Sequence, residues 1–332
     1  MSTHRSTEAN SVGIGVWGLG RHAVNKLLPS ISLANNIHLE AVATRDADVL
    51  AVQSAKWKCR ANGSLEAMLD GPGIDAVMVA TPIGCHFQDG LQVLNAGRHL
   101  WCEKAFTKTF DEATELAGLA AQKDLALCVS CPPLYGAQFE CLEKLLRQGA
   151  LGTVRAITAR FGFPHSDQVK SRYDPAVGGG ALLDMGFYPL VLAAALMNEQ
   201  PRVCGAVRAT ETGRAVDTGG AALLQFSGGV TANIEWGYGR DYVNEFVILG
   251  ENGSATAFPA FSKPDNHEPT VVLCRQNEEV SQSVRKYDPF TEMFKVFATT
   301  LTDRQRRQQY RDVAIVQQAL LRDVANACDR SD

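Results

Sequence analysis

The apolar hexapeptide Val12–Trp17 runs directly into Gly18-Leu19-Gly20-Arg21-His22-Ala23. A short strand, a G-x-G-x-x-[GA] turn and a helix opening behind it leave few folds open. The first glycine permits the tight turn, the second lets backbone approach a pyrophosphate, and Ala23 is small enough for the helix to pack on the strand. The helix then faces the phosphates with free N–H groups and the positive end of its dipole. Gly18, Leu19, Gly20, Arg21 and His22 are therefore candidate cofactor contacts.

The rest of the N-terminal half strengthens the reading of this turn. Helical patterns at residues 23–33, 47–56, 86–96 and 111–123 alternate with strand-like runs at 38–43, 75–80, 99–102 and 125–130. Such alternation means βαβ units and a parallel sheet. Beyond residue 130 the texture changes. A helix at 135–148 leads to strands at 154–163, 203–210, 219–226, 230–237 and 243–250, separated by turns such as Ser227-Gly228-Gly229 and Glu251-Asn252-Gly253. This predicts an α/β Rossmann domain over 11–130, after a disordered tail at 1–10. An α+β substrate-binding and oligomerisation domain comes next, over 131–332, with a large, mostly antiparallel sheet. A last helix, 307–327, places Val313, Val316, Leu320 and Val324 on one face.

Size and charge agree with this division. A chain of 332 residues exceeds what one core usually supports. Its net charge of −4 argues against nucleic acid or an anionic membrane as partner. The contiguous apolar runs fall short of the ~20 residues a membrane span needs. The nine cysteines are an odd, scattered set, which points to a reducing cytoplasm. Cys128-Val129-Ser130-Cys131 has redox or half-zinc spacing, but no second pair is present, and both thiols are read as buried core. No Cys, His and carboxylate set has metal-ligand spacing, and no serine sits in a nucleophile elbow.

The second strand selects the dinucleotide. NAD sites place an acid at its end for the ribose 2′-hydroxyl, whereas NADP sites offer an arginine. Here the strand ends Ala43-Thr44-Arg45. Thr44 takes the acidic position, and Arg45 can pair with a 2′-phosphate, so NADP (NADPH) is expected ahead of NAD. Asp46 is the competing carboxylate.

Three further segments carry a family resemblance: Ala80-Thr81-Pro82 with His86, Ala96-Gly97-Arg98-His99 leading to Glu103-Lys104, and Gly178-Gly179-Gly180-Ala181-Leu182-Leu183-Asp184-Met185-Gly186-Phe187-Tyr188. With the glycine turn they resemble, in order and spacing, the glucose–fructose oxidoreductase/inositol dehydrogenase (Gfo/Idh/MocA) family across nearly the whole chain. The resemblance implies hydride transfer at a sugar or polyol carbon and oligomer contacts through the large sheet. It assigns Lys104, in the Glu-Lys motif, to orient and stabilise at the reacting oxygen. Ala80, Thr81, Pro82, His86, Glu103 and Lys104 become cofactor-side positions. For His86, a helix-cap or surface role weighs equally. Relatives carry proline after the lysine; with Ala105 there, a trans bond is expected, because a cis non-proline bond costs about 2.5–4 kcal/mol.

Hydride addition to a carbonyl builds negative charge on oxygen, so the site needs a proton donor and a nearby cation. Tyr188 is the candidate acid, where many relatives have histidine. Asp184, at i, i+4 from it, would bind a substrate hydroxyl or fix Lys104. Gly178–Gly180 would let backbone approach nicotinamide or substrate. His165 and Arg172 could face the substrate or belong to the loop surface, and His99 reads as a packed strand residue.

Val243-Asn244-Glu245-Phe246, Gly250-Glu251-Asn252-Gly253-Ser254 and Ala260-Phe261-Ser262-Lys263-Pro264 resemble the nucleotide-deoxysugar 3-ketoreductase branch, as does Arg172-Tyr173-Asp174-Pro175. That implies NADPH-dependent reduction of a 3-keto-deoxyhexose on a nucleoside diphosphate, with Lys170, Arg172 and Arg240 as a diphosphate clamp. The alternatives are a dehydrogenase of a free pyranose or trans-dihydrodiol, and a regulator that senses NAD(P) without turnover. Apolar residues within 221–226 and 230–236 would sit on the uncovered face of the sheet and join a homodimer or homotetramer.

Overall fold

A computed structural model describes residues 11–166, 169–262, 268–276 and 278–330. The expected tail at 1–10, and Lys263 and Pro264 of the branch-like run, lie outside the described residues. The chain divides into two compact units.

The first unit holds a six-stranded parallel sheet in the order β3-β2-β1-β4-β5-β6. Its strands are β1 (Val12–Trp17), β2 (Ile37–Ala43), β3 (Arg60–Asn62), β4 (Ala76–Val79), β5 (His99–Cys102) and β6 (Leu127–Val129). The crossovers use α1 (Leu28–Leu33), α2 (Ala47–Trp57), α3 (Leu65–Leu69), α4 (Ile83–Asn95) and α5 (Phe110–Gln122). Strand order reverses between β1 and β4, and ligands of such sheets bind beyond the carboxyl ends at that point. β4 is buried at every position, as expected for a strand covered on both faces. The helix after the glycine turn opens with one wide π-helical turn, Ala23–Leu27, before α1.

The first unit is not contiguous. Residues 290–315 return to it, so a single boundary after residue 130 does not describe the chain. The reason is packing. From α8 (Pro289–Thr299), Phe294 and Phe297 cover the fully buried Trp101, with ring centroids 5.9 and 5.6 Å away. From α9 (Arg304–Asp329), Arg311 donates to the Leu125 carbonyl at 2.8 Å.

The expected face of the last helix needs correction. Leu320 and Val324 are buried, but Val313 and Val316 are 40% and 44% exposed. Arg311, Ala314, Gln318 and Leu321 point inward at i, i+3, i+7 and i+10. The arginine's carbonyl bond fixes that phase, and the two valines fall outside it.

The second unit contains α6 (Ala137–Arg147), α7 (Phe187–Met197) and an eight-stranded sheet, ordered β14-β13-β12-β11-β7-β10-β9-β8. The strands are β7 (Val154–Phe163), β8 (Arg202–Ala209), β9 (Gly219–Gln225), β10 (Thr231–Tyr238), β11 (Val243–Gly250), β12 (Gly253–Ala257), β13 (Thr270–Arg275) and β14 (Glu278–Ser283). All neighbours are antiparallel except β7 and β10, which pair in parallel at the centre. The last three strands are absent from the sequence reading: β12 is Gly-Ser-Ala-Thr-Ala and β14 is an edge strand with one apolar residue, whereas β13, Thr-Val-Val-Leu-Cys-Arg, is an apolar run that could have been read as a strand.

One face of this sheet is core. Ala222, Leu224, Ala232, Ile234 and Trp236 are buried. The opposite face is mixed rather than uniformly apolar. Leu223, Leu249 and Val207 are exposed there, beside Asn233, Glu235 and the Arg160–Glu245 ion pair. Of the residues expected on the uncovered face, those on the core parity are inside.

None of the nine cysteines is in a disulfide. Cys128 and Cys131 are buried, and burial pushes the Cys128 thiol well above its usual range. Residues Pro175–Met197 are long and apolar enough for a membrane span by composition, but 67% of the most apolar window is buried inside the protein. No group of His, Cys and carboxylates among the described residues could hold a metal ion.

Candidate active site

The candidate residues divide between the two units, one group in each. In the first unit, the glycine turn and the β4–α4 turn touch at the reversal of strand order. A Cβ on Gly18, at φ +95°, would lie 2.8 Å from the Ala80 carbonyl carbon and the Thr81 nitrogen. A Cβ on Gly20 would meet nothing within 4 Å, so the backbone there, beside the first helical N–H groups, is open to close approach. Those features fit a dinucleotide pyrophosphate.

The adenosine end fits NADP better than NAD. Asp46 caps α2: Oδ1 accepts from the N–H groups of Asp48 and Val49 at 3.1 and 3.0 Å. Glu40, further back in β2, accepts from Arg60 Nε at 3.1 Å. Arg45 is exposed and has no hydrogen bond or ion pair among the described residues, so its guanidinium is available to a phosphate.

Lys104 comes just after β5 and is half-buried. The bond between Lys104 and Ala105 is cis, which corrects the trans expectation. Ala105 and Phe106 are both buried, and the His86 ring holds their carbonyls: Nδ1 lies 3.0 Å from Ala105 O and 3.1 Å from Phe106 O. Its Nε2 lies 2.7 Å from Thr81 O. His86 is fully buried, so it is neither a surface residue nor an exposed cap. It ties the β4–α4 turn to the lysine loop from beneath. Thr81 Oγ1 is itself held, donating to Asp89 Oδ2 at 2.6 Å.

Glu103 ties the same loop to the glycine turn. Its Oε1 lies 3.5 Å from His22 Nε2, and its Oε2 accepts from the Lys104 N–H at 3.2 Å. Burial alone would raise its carboxyl, but His22 and Lys104 outweigh burial and hold it below the usual carboxylate range. His22 also meets Phe290 at a tilt, with centroids 5.5 Å apart. Sequence spacing marks His22, His86 and Glu103 as cofactor-side positions; the structure engages all three in joining loops of the first unit.

The second group surrounds the start of α7. Asp184 sits in a π-helical turn, Leu182–Gly186, so the i, i+4 relation to Tyr188 crosses a wide turn into the α-helix. Two of the three glycines make close approaches within the chain. A Cβ on Gly179 would lie 2.7 Å from the carbonyls of Ser171 and Arg172, and one on Gly180, at φ +129°, 2.5 Å from Asp217 Oδ1. In the Cβ direction these two glycines therefore pack closely on the chain itself. Asp217 carries no signal in the sequence. It accepts from the Leu182 N–H at 2.7 Å and caps the turn. Burial pushes its carboxyl up, against the pull of that N–H.

Arg172 is committed to Asp184. Its Nε donates to Asp184 Oδ2 at 2.9 Å while the guanidinium lies 4.6 Å over the Phe163 ring. Tyr238 donates to the same oxygen at 3.0 Å. His165 stands apart from that carboxylate, with Nδ1 2.9 Å from Tyr173 Oη and Nε2 3.0 Å from Glu211 Oε1.

Arg240 does not join a clamp with Arg172. Its side chain lies across Gly162, Gly237 and Gly219, in register on β7, β10 and β9, where added Cβ atoms would come within 2.5–2.9 Å of it. Those glycines alternate with Phe161, Trp236 and Gly220, so Arg240 occupies the sheet face opposite Trp236.

Tyr188 is half-buried in aromatic rings. Phe161 meets it edge-on at 5.9 Å, and Phe261 stacks at 6.5 Å with an interplanar angle of 28°. Phe261 is held by Asn244, a fully buried amide. Its Oδ1 accepts from the N–H groups of Ala260 and Phe261 at 2.8 and 2.7 Å, and its Nδ2 donates to Ser262 O at 2.7 Å. A connection is thus visible between two of the branch-like segments: the asparagine of the first fixes the phenylalanine of the last against Tyr188.

Comparison with known proteins matches residues 12–149 to the oxidoreductase family with NAD-binding Rossmann fold, and residues 139–256 to the GFO/IDH/MocA C-terminal domain. The chain is 31% identical over 299 residues to a dTDP-3,4-didehydro-2,6-dideoxy-alpha-D-glucose 3-reductase of Streptomyces violaceoruber, covering 90% of this chain and 87% of that one. It is 34% identical over 263 residues to the protein of that name from Streptomyces antibioticus, covering 79% and 80%. A crystal structure of a 3-ketoreductase from Actinomadura kijaniata, in complex with NADP and TDP-benzene, superposes with a TM-score of 0.90 at 28% identity over 96% of this chain and 98% of that one.

Proposed function

This chain belongs to the GFO/IDH/MocA oxidoreductase family, and from that premise we propose that it is an NADPH-dependent reductase of the 3-keto group of a nucleotide-linked deoxyhexose. The observation that carries the reading is similarity to 3-ketoreductases along almost the full length of both chains. The open Arg45 beside a helix-capping Asp46 supports the phosphorylated cofactor.

Bound NADPH supplies the hydride to the substrate carbonyl. The protein's own side chains do the rest. The glycine turn and helix N-terminus receive the pyrophosphate, and Arg45 receives the 2′-phosphate. Tyr188 donates the proton that the keto oxygen requires, since an ordinary phenol is protonated at neutral pH. Lys104 stabilises charge developing on that oxygen. Asp184, whose Oδ2 accepts from Arg172 and Tyr238, is the acceptor for a substrate hydroxyl.

The assembly we infer is a dimer or tetramer joined through the outer face of the large sheet, supported by the exposed Leu223, Leu249 and Val207.

The test is direct. Purified protein is mixed with NADPH and a TDP-linked 3-keto-2,6-dideoxyhexose, and loss of cofactor absorbance is followed with product identification by mass spectrometry and NMR. Stoichiometric reduction at C3 is expected. Equal turnover of free pyranoses or trans-dihydrodiols would move the reading to those substrates. NADPH binding with no turnover across the panel would leave a cofactor sensor.

A further inference from the structure

Tyr238 ends β10 with 3% of its surface exposed, and no sequence motif points to it. A phenol has one hydrogen to give. Two acceptors lie near, Asp184 Oδ2 at 3.0 Å and the Gly180 carbonyl at 3.4 Å. The carboxylate is closer and charged, so it takes the hydrogen. Burial, and then the Asp184 charge, push the phenol far above its ordinary range. Tyr238 therefore keeps its proton at every working pH, which makes it a permanent donor and disqualifies it as a proton source.

Its ring is fixed as firmly as its oxygen. Phe163 and Tyr173 pack against it, with centroids 5.8 and 5.4 Å away. Arg172 approaches from the loop side and gives its Nε to the same Asp184 oxygen. Two donors from separate elements, β10 and the loop before the triple glycine, thus converge on one carboxylate oxygen. A short side chain on a π-helical turn is pinned in a single orientation.

We propose that Tyr238 is a positioning residue for the reaction, setting Asp184 so that it meets the sugar in one geometry. This rests on the ketoreductase reading above. It predicts that Tyr238 matters only through Asp184, which a general packing role does not.

The experiment is a double-mutant cycle of Tyr238→Phe and Asp184→Asn, read as kcat/KM for the TDP-linked keto sugar, with NADPH Kd and thermal unfolding measured alongside. Tyr238→Phe deletes one oxygen and keeps the ring packing. It should lower kcat/KM roughly tenfold or more, the scale of a lost hydrogen bond to a charged group, and leave NADPH Kd within about twofold. In the Asp184→Asn background the same change should cost less than about threefold. Near-wild-type kcat/KM for Tyr238→Phe overturns the proposal, as does full multiplication of the two losses. Wild-type protein that does not reduce the keto sugar overturns the reading and the positioning role together; active wild type with a multiplicative cycle overturns the positioning role alone.

Discussion

The carboxylate of Asp46 is spent on Val49 and its neighbour: Oδ1 accepts the Val49 N–H at 3.0 Å and that of Asp48 at 3.1 Å. Capping of this kind contributes about 0.5–2 kcal/mol, so turning Asp46 toward a ribose hydroxyl would cost the start of α2. Arg45→Ala should therefore weaken NADPH far more than NADH, by roughly 10–100-fold for a charge-assisted contact of about 1.5–3 kcal/mol. Fluorescence titration of both cofactors checks it; equal losses, or a wild-type preference for NADH, would remove Arg45 from the cofactor site.

On the proposed chemistry, Tyr188→Phe should lower single-turnover hydride transfer by about 10²–10⁴ while NADPH affinity holds. Lys104→Ala should cost at least as much, because it removes the cation beside the developing charge. The double variant should be little worse than the poorer single one if the two act as a unit. A Tyr188→Phe enzyme with chemistry limiting and a near-wild-type rate would need another acid.

Acid should destabilise the first unit through His99. Its Nδ1 accepts the Ala126 N–H at 2.8 Å, and burial, with Arg307 nearby, pushes its pKa down to about 4. The unfolded chain takes up a proton near pH 6.5 and the folded chain only near 4. Stability is therefore full above about pH 6.5 and falls progressively between about pH 6.5 and 4, by up to about 3 kcal/mol. His99→Asn, whose amide oxygen can accept the same N–H, should flatten that stretch of the profile. Urea midpoints at about pH 7 and 5, on either side of the unfolded histidine's pKa, compare the two proteins.

Light scattering should give a particle that is a multiple of 35.9 kDa. Leu223→Asp with Leu249→Asp should shift it toward one chain, since both side chains lie on the outer face of the sheet at 42% and 51% exposure. A monomeric wild type would refute the assembly, and a double variant that stays oligomeric would place the interface elsewhere.

Local chemistry explains which features could be read from the chain. The limits of β1, β5, β7 and β11 coincide with apolar or mixed β-branched and aromatic runs bounded by turn residues, so period and punctuation sufficed. Asp217, Tyr238 and Asn244 could not be found that way. Each acts on residues 16–54 positions away; Asn244 stands in a segment that carries the branch resemblance, but nothing local to any of the three announces its partner. Gly179 and Gly180 show a related limit. A glycine run announces close approach without saying to what, and here the neighbours are Ser171, Arg172 and Asp217. In α9 the apolar valines suggest one face, and a single arginine bonded to a backbone carbonyl selects another.

The return of residues 290–315 to the first unit bears on how the protein is made. On the ribosome the six parallel strands emerge first, yet Trp101 then lacks Phe294 and Phe297, and the Leu125 carbonyl lacks Arg311. At about 5–20 residues per second, the missing helices arrive roughly 10–40 s later. The unit that begins the chain is thus completed only after residues 131–289 of the second, and its half-covered tryptophan face must wait in the crowded cell while they are synthesised. A nascent chain arrested after residue 130 should accordingly be open to protease, and one arrested with residue 315 clear of the exit tunnel should be protected.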